Sequence, residues 1–143
     1  MQGPPRKEVK MALKIKSIQA PVVVVKGKEI EFTYDQTTAT ISKKLGLAAL
    51  RRRHELVMVE IHFSAAPTTS ESFTITKNSH LGSQNKEYDT VVFSQNPSSP
   101  SATNIVNIWD KPYPLEVLDD LTVAYGNTDT NMVAFRVVVR RKP

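Results

Sequence analysis

Leu56-Val57-Met58-Val59-Glu60-Ile61-His62-Phe63 is the stretch that decides the fold class. Val57, Val59, Ile61 and Phe63 occupy alternate positions, with Met58, Glu60 and His62 between them. Successive side chains of a strand point to opposite faces, so the segment reads as a sheet strand with one dry face. A helix would need apolar residues three and four apart, and no such period is sustained for ten residues anywhere in the chain.

Similar signals recur on both sides of it. Met11-Ala12-Leu13-Lys14-Ile15-Lys16 alternates apolar and basic, as a half-exposed strand or extended arm does. Ile30 to Tyr34 alternates too, and Thr37 to Ile41 is rich in β-branched residues. Downstream, the turn cluster Pro67-Thr68-Thr69-Ser70 precedes a strand over Phe73 to Thr76. Further strands are expected over Tyr88–Phe93, Asn104–Trp109, Leu121–Tyr125 and Met132–Val139, with Ser94 to Thr103 as a loop. Pro112 and Pro114 have no N–H to donate and are expected to break the ladder after Trp109. Only Leu45 to Arg53 has helix-forming composition, and Gly46 works against it.

About eight short strands punctuated by turns predict an all-β antiparallel β-sandwich. A jelly roll suits a chain of this length, with an immunoglobulin- or fibronectin-like sandwich as the alternative. The expected organisation is a basic, extended N-terminal arm over residues 1–20 and a single β-sandwich domain over 21–143. At 143 residues and 40% apolar content the chain is long enough for one real core. It has no cysteine, which excludes disulfides, thiolate zinc sites and cysteine nucleophiles. The apolar run Pro21 to Val25 falls far short of the roughly 20 residues of a membrane-spanning helix. No apolar stretch follows Met1, so no secretory leader is read there, and synthesis in the cytoplasm without a membrane partner is expected.

Charge is unevenly placed. Residues 1–53 carry a balance of +8, residues 54–135 one of −7, and the last eight residues one of +4. Basic ends around an acidic middle suit phosphate contacts, an acidic protein surface, or the acidic body of a neighbouring copy. The arm from Met1 to Gln19 has no aromatic residue to stack on bases, so a specific nucleic-acid role is not expected.

Motifs that carry chemistry are sparse. His54 and His62 share strand parity, but eight residues of strand set them roughly 26 Å apart, too far to share a metal. Ser79-His80 are neighbours in sequence, a poor geometry for nucleophile and base, and no GxSxG elbow occurs. Asp119 and Asp120 are adjacent and suit a turn before Leu121 better than a paired-carboxylate site. Asn127, Asp129 and Asn131 are spaced as in a calcium loop but lack the central Gly and later Glu of an EF-hand. With five glycines and no phosphate-cradling motif, no nucleotide site is read either. No catalytic, cofactor-binding or metal residue is nominated, and the expectation is a protein without enzymatic activity or cofactor. Trp109 is either a core aromatic or a partner anchor. Arg51-Arg52-Arg53 is either a solvated loop or an inter-subunit patch.

Four phrases from His54 onward resemble a group of small β-rich structural proteins of tailed bacteriophages. They are Glu55 to Pro67, Ser72 to Thr76, Tyr88 to Phe93 and Leu121 to Asp129. Jelly-roll members of that group with a clear role are capsid decoration, or cement, proteins. The resemblance implies a virion protein on the outer capsid surface that bridges neighbouring subunits of the major capsid protein. It also implies contact with further copies of itself, most simply as a trimer. Residues 1–53 match no family and sit where arms that tie capsomers together are expected. The anchors implied are Arg6, Lys7, Lys10, Lys14 and Lys16 in the arm, with Arg51, Arg52, Arg53, Arg140, Arg141 and Lys142 as further patches and Trp109 as a platform. The alternative is a tail, head-fibre or receptor-binding β-domain, which an exposed aromatic cluster of Trp109, Tyr113 and Tyr125 would favour.

Overall fold

The structure, a computed structural model, describes residues 21–79 and 89–142. The arm residues Arg6, Lys7, Lys10, Lys14 and Lys16 lie outside that range, as do His80 and Tyr88. The described residues form nine strands: β1 (Val22–Lys26), β2 (Glu29–Thr37), β3 (Ile41–Leu45), β4 (His54–Phe63), β5 (Phe73–Asn78), β6 (Thr90–Gln95), β7 (Asn104–Leu115), β8 (Asp120–Tyr125) and β9 (Val133–Arg141). They make two antiparallel sheets, ordered β1-β2-β9-β4-β7 and β3-β8-β5-β6, packed as a β-sandwich.

The pairing has a simple logic. β2 pairs with β9, β3 with β8, β4 with β7 and β5 with β6, all antiparallel. The chain therefore runs as one long two-stranded ribbon that turns back between β5 and β6 and is rolled into two layers. β9 then also pairs with β4, and β8 with β5, which closes each layer. β1 adds to the outside of β2 through the two-residue loop Gly27-Lys28. Gly27 sits at φ +61, as the first loop position of a type II′ hairpin requires and as glycine alone adopts freely.

Alternate residues of the inner strands make the core. β2 contributes Ile30, Phe32 and Tyr34, and β9 contributes Val133, Phe135, Val137 and Val139. The facing sheet supplies Ile41, Leu45, Phe73, Ile75, Leu121, Val123 and Tyr125. Tyr34 stacks on Phe135 with ring centres 5.5 Å apart, and Phe73 meets both Phe135 and Tyr125 at under 6 Å. Each such burial contributes about 1.5–3 kcal/mol. Burial also pushes the Tyr125 hydroxyl up to about 12.

The sandwich corrects several expectations. The alternation in β4 is interrupted by a bulge between Leu56 and Met58. Leu56 is buried opposite Val139 while Val57 is only half-buried, so the inner face runs through His54 and Leu56 and then Val59, Ile61 and Phe63. His54 and His62 thus lie on opposite faces, one buried and one exposed, and do not share parity. A bulge adds one residue and inverts every side chain beyond it.

β7 passes through Pro112 and Pro114 instead of ending at Trp109. It is an edge strand, where a missing N–H is tolerated, and its register skips from Ile108 to Tyr113, so residues 109–112 bulge out of the ladder. Leu45 to Arg53 is no helix: Leu45 ends β3, and only Ala48–Leu50 forms a 3₁₀ turn.

At one end of the sandwich, Asp129 holds the loop after β4. Its carboxylate accepts bonds from the Thr68 and Thr69 amides, at 2.7 and 3.0 Å, and from both threonine hydroxyls. Asn127 donates to Ala39 and Asn131 carbonyls, so the Asn127–Asn131 stretch is taken up by turn chemistry.

Two outcomes follow from this packing. Leu56→Ala should destabilise by about 2–5 kcal/mol in urea unfolding, whereas Val57→Ala at the bulge should cost about 1 kcal/mol or less. The hydrogen bonds from Thr69, seconded by Thr68, lower the Asp129 carboxyl from 3.8 to about 2. A carboxyl lowered on folding stabilises fully above its unfolded value and loses that contribution as pH falls through the folded one. The wild-type unfolding midpoint should therefore drop between about pH 4 and pH 2, and Asp129→Asn should flatten that slope while lowering stability at pH 7.

Candidate functional site

Three basic segments far apart in sequence meet at one end of the sandwich. They are the β1–β2 hairpin with Lys26 and Lys28, the loop Arg51-Arg52-Arg53, and the chain end Arg140-Arg141-Lys142. The Arg141 amide donates to the Lys28 carbonyl at 2.7 Å, and the Lys142 amide donates to the Arg53 carbonyl at 3.0 Å. Ladder register agrees, with Glu29 opposite Arg140 and His54 opposite Arg141. Sequence reading named two of these patches separately, and the central position of β9 brings them together.

The arginine loop is held from below. Asp120 accepts the Leu47 and Ala48 amides, each at 2.8 Å, through one carboxylate oxygen and pairs with Lys44 at 3.2 Å through the other. Leu47 is buried, and the Arg51 amide closes the 3₁₀ turn on the Ala48 carbonyl. Arg51 takes φ +52, a left-handed conformation that costs a side-chain-bearing residue roughly 1–2 kcal/mol. Asp119 lies in the preceding turn, where its carboxylate accepts the Glu116 amide. Both acids are thus structural, on separate partners.

Only part of the positive charge is met. Lys26 pairs with Glu31 at 3.1 Å, Arg53 with Glu116 at 3.4 Å, and Arg140 with Glu55 at 3.4 Å. Among the described residues, Lys28, Arg51, Arg52, Arg141 and Lys142 make no ion pair, and all are exposed. The Lys26 ammonium, with Arg136, holds the Glu31 carboxyl below its ordinary value. Exposed pairs contribute about 1 kcal/mol at most, so clustered unmatched charge is a source of positive field more than of stability.

Beside this end a groove of about 250 Å³ opens between β1 and the loop after β3. Val23, Val25, Ile30 and Phe32 form one wall and floor, Leu50 the other side, and Arg52, His54 and Arg141 its basic end. His54 is buried; its Nδ1 lies 3.0 Å from the Arg52 carbonyl, which accepts only, so that nitrogen carries the proton. Burial keeps the ring neutral by lowering its affinity for a second proton, and Arg141 and Arg52 push the same way.

Trp109 stands apart from the basic end. It is half-buried, edge-on to Phe93 at 6.1 Å. Tyr113 is half-buried and Tyr125 fully buried, so these three aromatics do not form an exposed cluster. The signal that sequence reading missed is Gly27: a Gly-Lys pair between two β-rich runs marks a hairpin and would have placed Lys26 and Lys28 at a strand end. Among the described residues no three histidine, cysteine or acidic side chains gather as a metal site. Nor is any helix there long and apolar enough to cross a membrane.

In comparisons with known proteins, no family model matches the chain, and no curated protein matches it.

The geometry around His54 predicts a titration. In an NMR pH series its ring should change charge below the ordinary 6.5. A histidine lowered on folding binds its proton more readily when unfolded, so the fold should weaken as pH drops below about 6.5. His54→Gln should remove that part of the pH dependence.

Proposed function

We propose that this chain is a non-enzymatic virion structural protein, a jelly-roll decoration or cement protein of a tailed bacteriophage head. On this reading it binds the outer surface of the shell and bridges neighbouring major-capsid subunits, sitting as a trimer or similar cluster. The observation that carries the reading is the basic end: Lys28, Arg51, Arg52, Arg141 and Lys142 converge there without acidic partners among the described residues. A rigid sandwich that presents unmatched guanidinium groups is suited to docking on an acidic protein surface, where complementary charge steers encounter and fixes orientation. The ribbon pairing of β2 with β9 through to β5 with β6 supports the jelly-roll assignment, since eight strands in two Greek keys produce that order.

The N-terminal segment adds a second attachment. β1 starts at Val22 level with Thr33 and Arg136, half-way along its sheet, and runs toward the basic end. Residues 1–20, with Arg6, Lys7, Lys10, Lys14 and Lys16, precede this strand in the chain and lie outside the described residues. Basic residues in both the N-terminal segment and the body suit a bridge between subunits, where individually modest affinities multiply. Trp109 and Tyr113 are half-buried and Tyr125 is buried, so the three offer the receptor-binding alternative no exposed aromatic cluster.

The test is binding to purified heads stripped of this protein. Arg51→Gly, Arg52→Glu and Arg141→Glu should leave the unfolding midpoint near wild type, because the three side chains are exposed and glycine suits the conformation of residue 51. Shell affinity should fall about tenfold or more for the combined variant, and wild-type binding should weaken with salt. Unchanged affinity in the folded variant would contradict the reading.

A further inference from the structure

The geometry points to the free edge of β1 as a docking site for an extended, acidic peptide segment of a partner protein. Such a segment would add a strand beside Val22–Lys26, bury apolar side chains in the groove and set a carboxylate between Arg52 and Arg141. The inference rests on the reading of this protein as a binding module and names the chemistry of one partner segment.

The edge itself is unusual. β1 is the outermost strand of its sheet and pairs only with β2, so its other side presents unbonded backbone groups among the described residues. All five of its residues are exposed, and four of them are valine. A flat apolar edge invites another strand, and proteins commonly protect such edges with bulges, prolines or inward charges. The opposite edge of the same sheet is protected in this way: β7 bulges at residues 109–112 and carries Pro112 and Pro114. Edge strand β3 carries Lys43 and Lys44. β1 has a regular register and none of these devices before Lys26.

The groove selects the occupant. Val23 and Val25 lie opposite Phe32 and Ile30, so they share the inner face of the sheet, yet they remain 54% and 66% exposed. β1 thus overhangs the second sheet, and the space beneath it is the 250 Å³ groove. An added strand would place alternate side chains above that apolar floor, level with Val23 and Val25. The next position on that face reaches the end lined by Arg52 and Arg141, whose guanidinium groups make no ion pair among the described residues. A carboxylate there would satisfy both. With antiparallel pairing the complementary pattern reads acidic-x-apolar-x-apolar from its N-terminal side.

The protein's own segments fit less well. Residues 1–20 hold Arg6, Lys7, Lys10, Lys14 and Lys16 against the single acid Glu8, the same sign as the groove end. The β1 of a second copy, Val-Val-Val-Val-Lys, has no carboxylate to offer. Nucleic acid could meet the arginines but has no apolar side chains for the floor.

The experiment is an NMR titration of the ¹⁵N-labelled full chain with the synthetic peptide acetyl-Glu-Thr-Val-Thr-Ile-Thr-amide. Amide shifts should move along Val22–Lys26 and at Arg52 and Arg141. Replacing the peptide's Glu by Lys should weaken binding about tenfold. Val25→Lys, at a largely exposed position, should abolish binding while the unfolding midpoint stays near wild type. Shifts confined to the arginines, or equal affinity for the Lys peptide, would overturn the proposal. It would also be overturned if the β1 amides that point away from β2 were already protected from hydrogen exchange in the free monomer, or if the wild type were a dimer that Val25→Lys dissociates. Loss of peptide binding with shell binding intact sinks this inference alone. Shell binding that does not depend on Arg51, Arg52 and Arg141 sinks the docking reading on which it rests.

Discussion

The last strand holds the molecule together. β9 lies between β2 and β4, so residues 133–141 are inserted between two strands from the first half of the chain. Val137 and Val139 are fully buried there, and Phe135 joins the aromatic cluster with Tyr34 and Phe73. The outer face of the same strand carries Arg136, bonded to Glu31 and Glu60 at 3.0 and 3.1 Å, which ties the three strands across their solvent side. Because β9 ends beside the Gly27 hairpin and the Arg53 carbonyl, closing the sheet and assembling the basic end are one structural event.

That arrangement separates stability from surface chemistry. The core needs Leu56, Val59, Ile61 and the valines of β9, whereas the unmatched arginines project from loops and a strand terminus that the core merely positions. Asp120 links the two layers of organisation: its carboxylate holds the 3₁₀ turn that presents Arg51 to Arg53 while it begins β8 at the sheet. The same end carries the groove under β1, so charge and apolar surface are adjacent. A partner with both acidic and apolar groups would meet both at once.

Much of the architecture could be read from residue order. Alternation over β2, β4 and β9, with turn clusters between them, was enough for an antiparallel sandwich, because side-chain period follows directly from strand geometry. The bulge at Val57 could not be read, since an inserted residue leaves the run of apolar residues looking continuous and only cross-strand register exposes it. Pro112 and Pro114 misled for a related reason: their effect depends on whether the strand is central or at an edge, which is a tertiary fact. The basic patches at Arg51–Arg53 and Arg140–Lys142 were visible as charges, but their convergence follows from β9 crossing to the middle of the sheet. The groove depends on how far β1 overhangs its neighbours, which local sequence does not encode.

The proposed role rests on surface disposition, and its most direct test is stoichiometric. Quantitative mass spectrometry of purified particles should find this protein on the order of hundreds of copies per head, in a fixed ratio to the major capsid protein, as a symmetric shell requires of a component that covers its lattice junctions. A few to a few dozen copies would move it to a tail, vertex or fibre, and absence from the particle would contradict a structural role in the virion altogether.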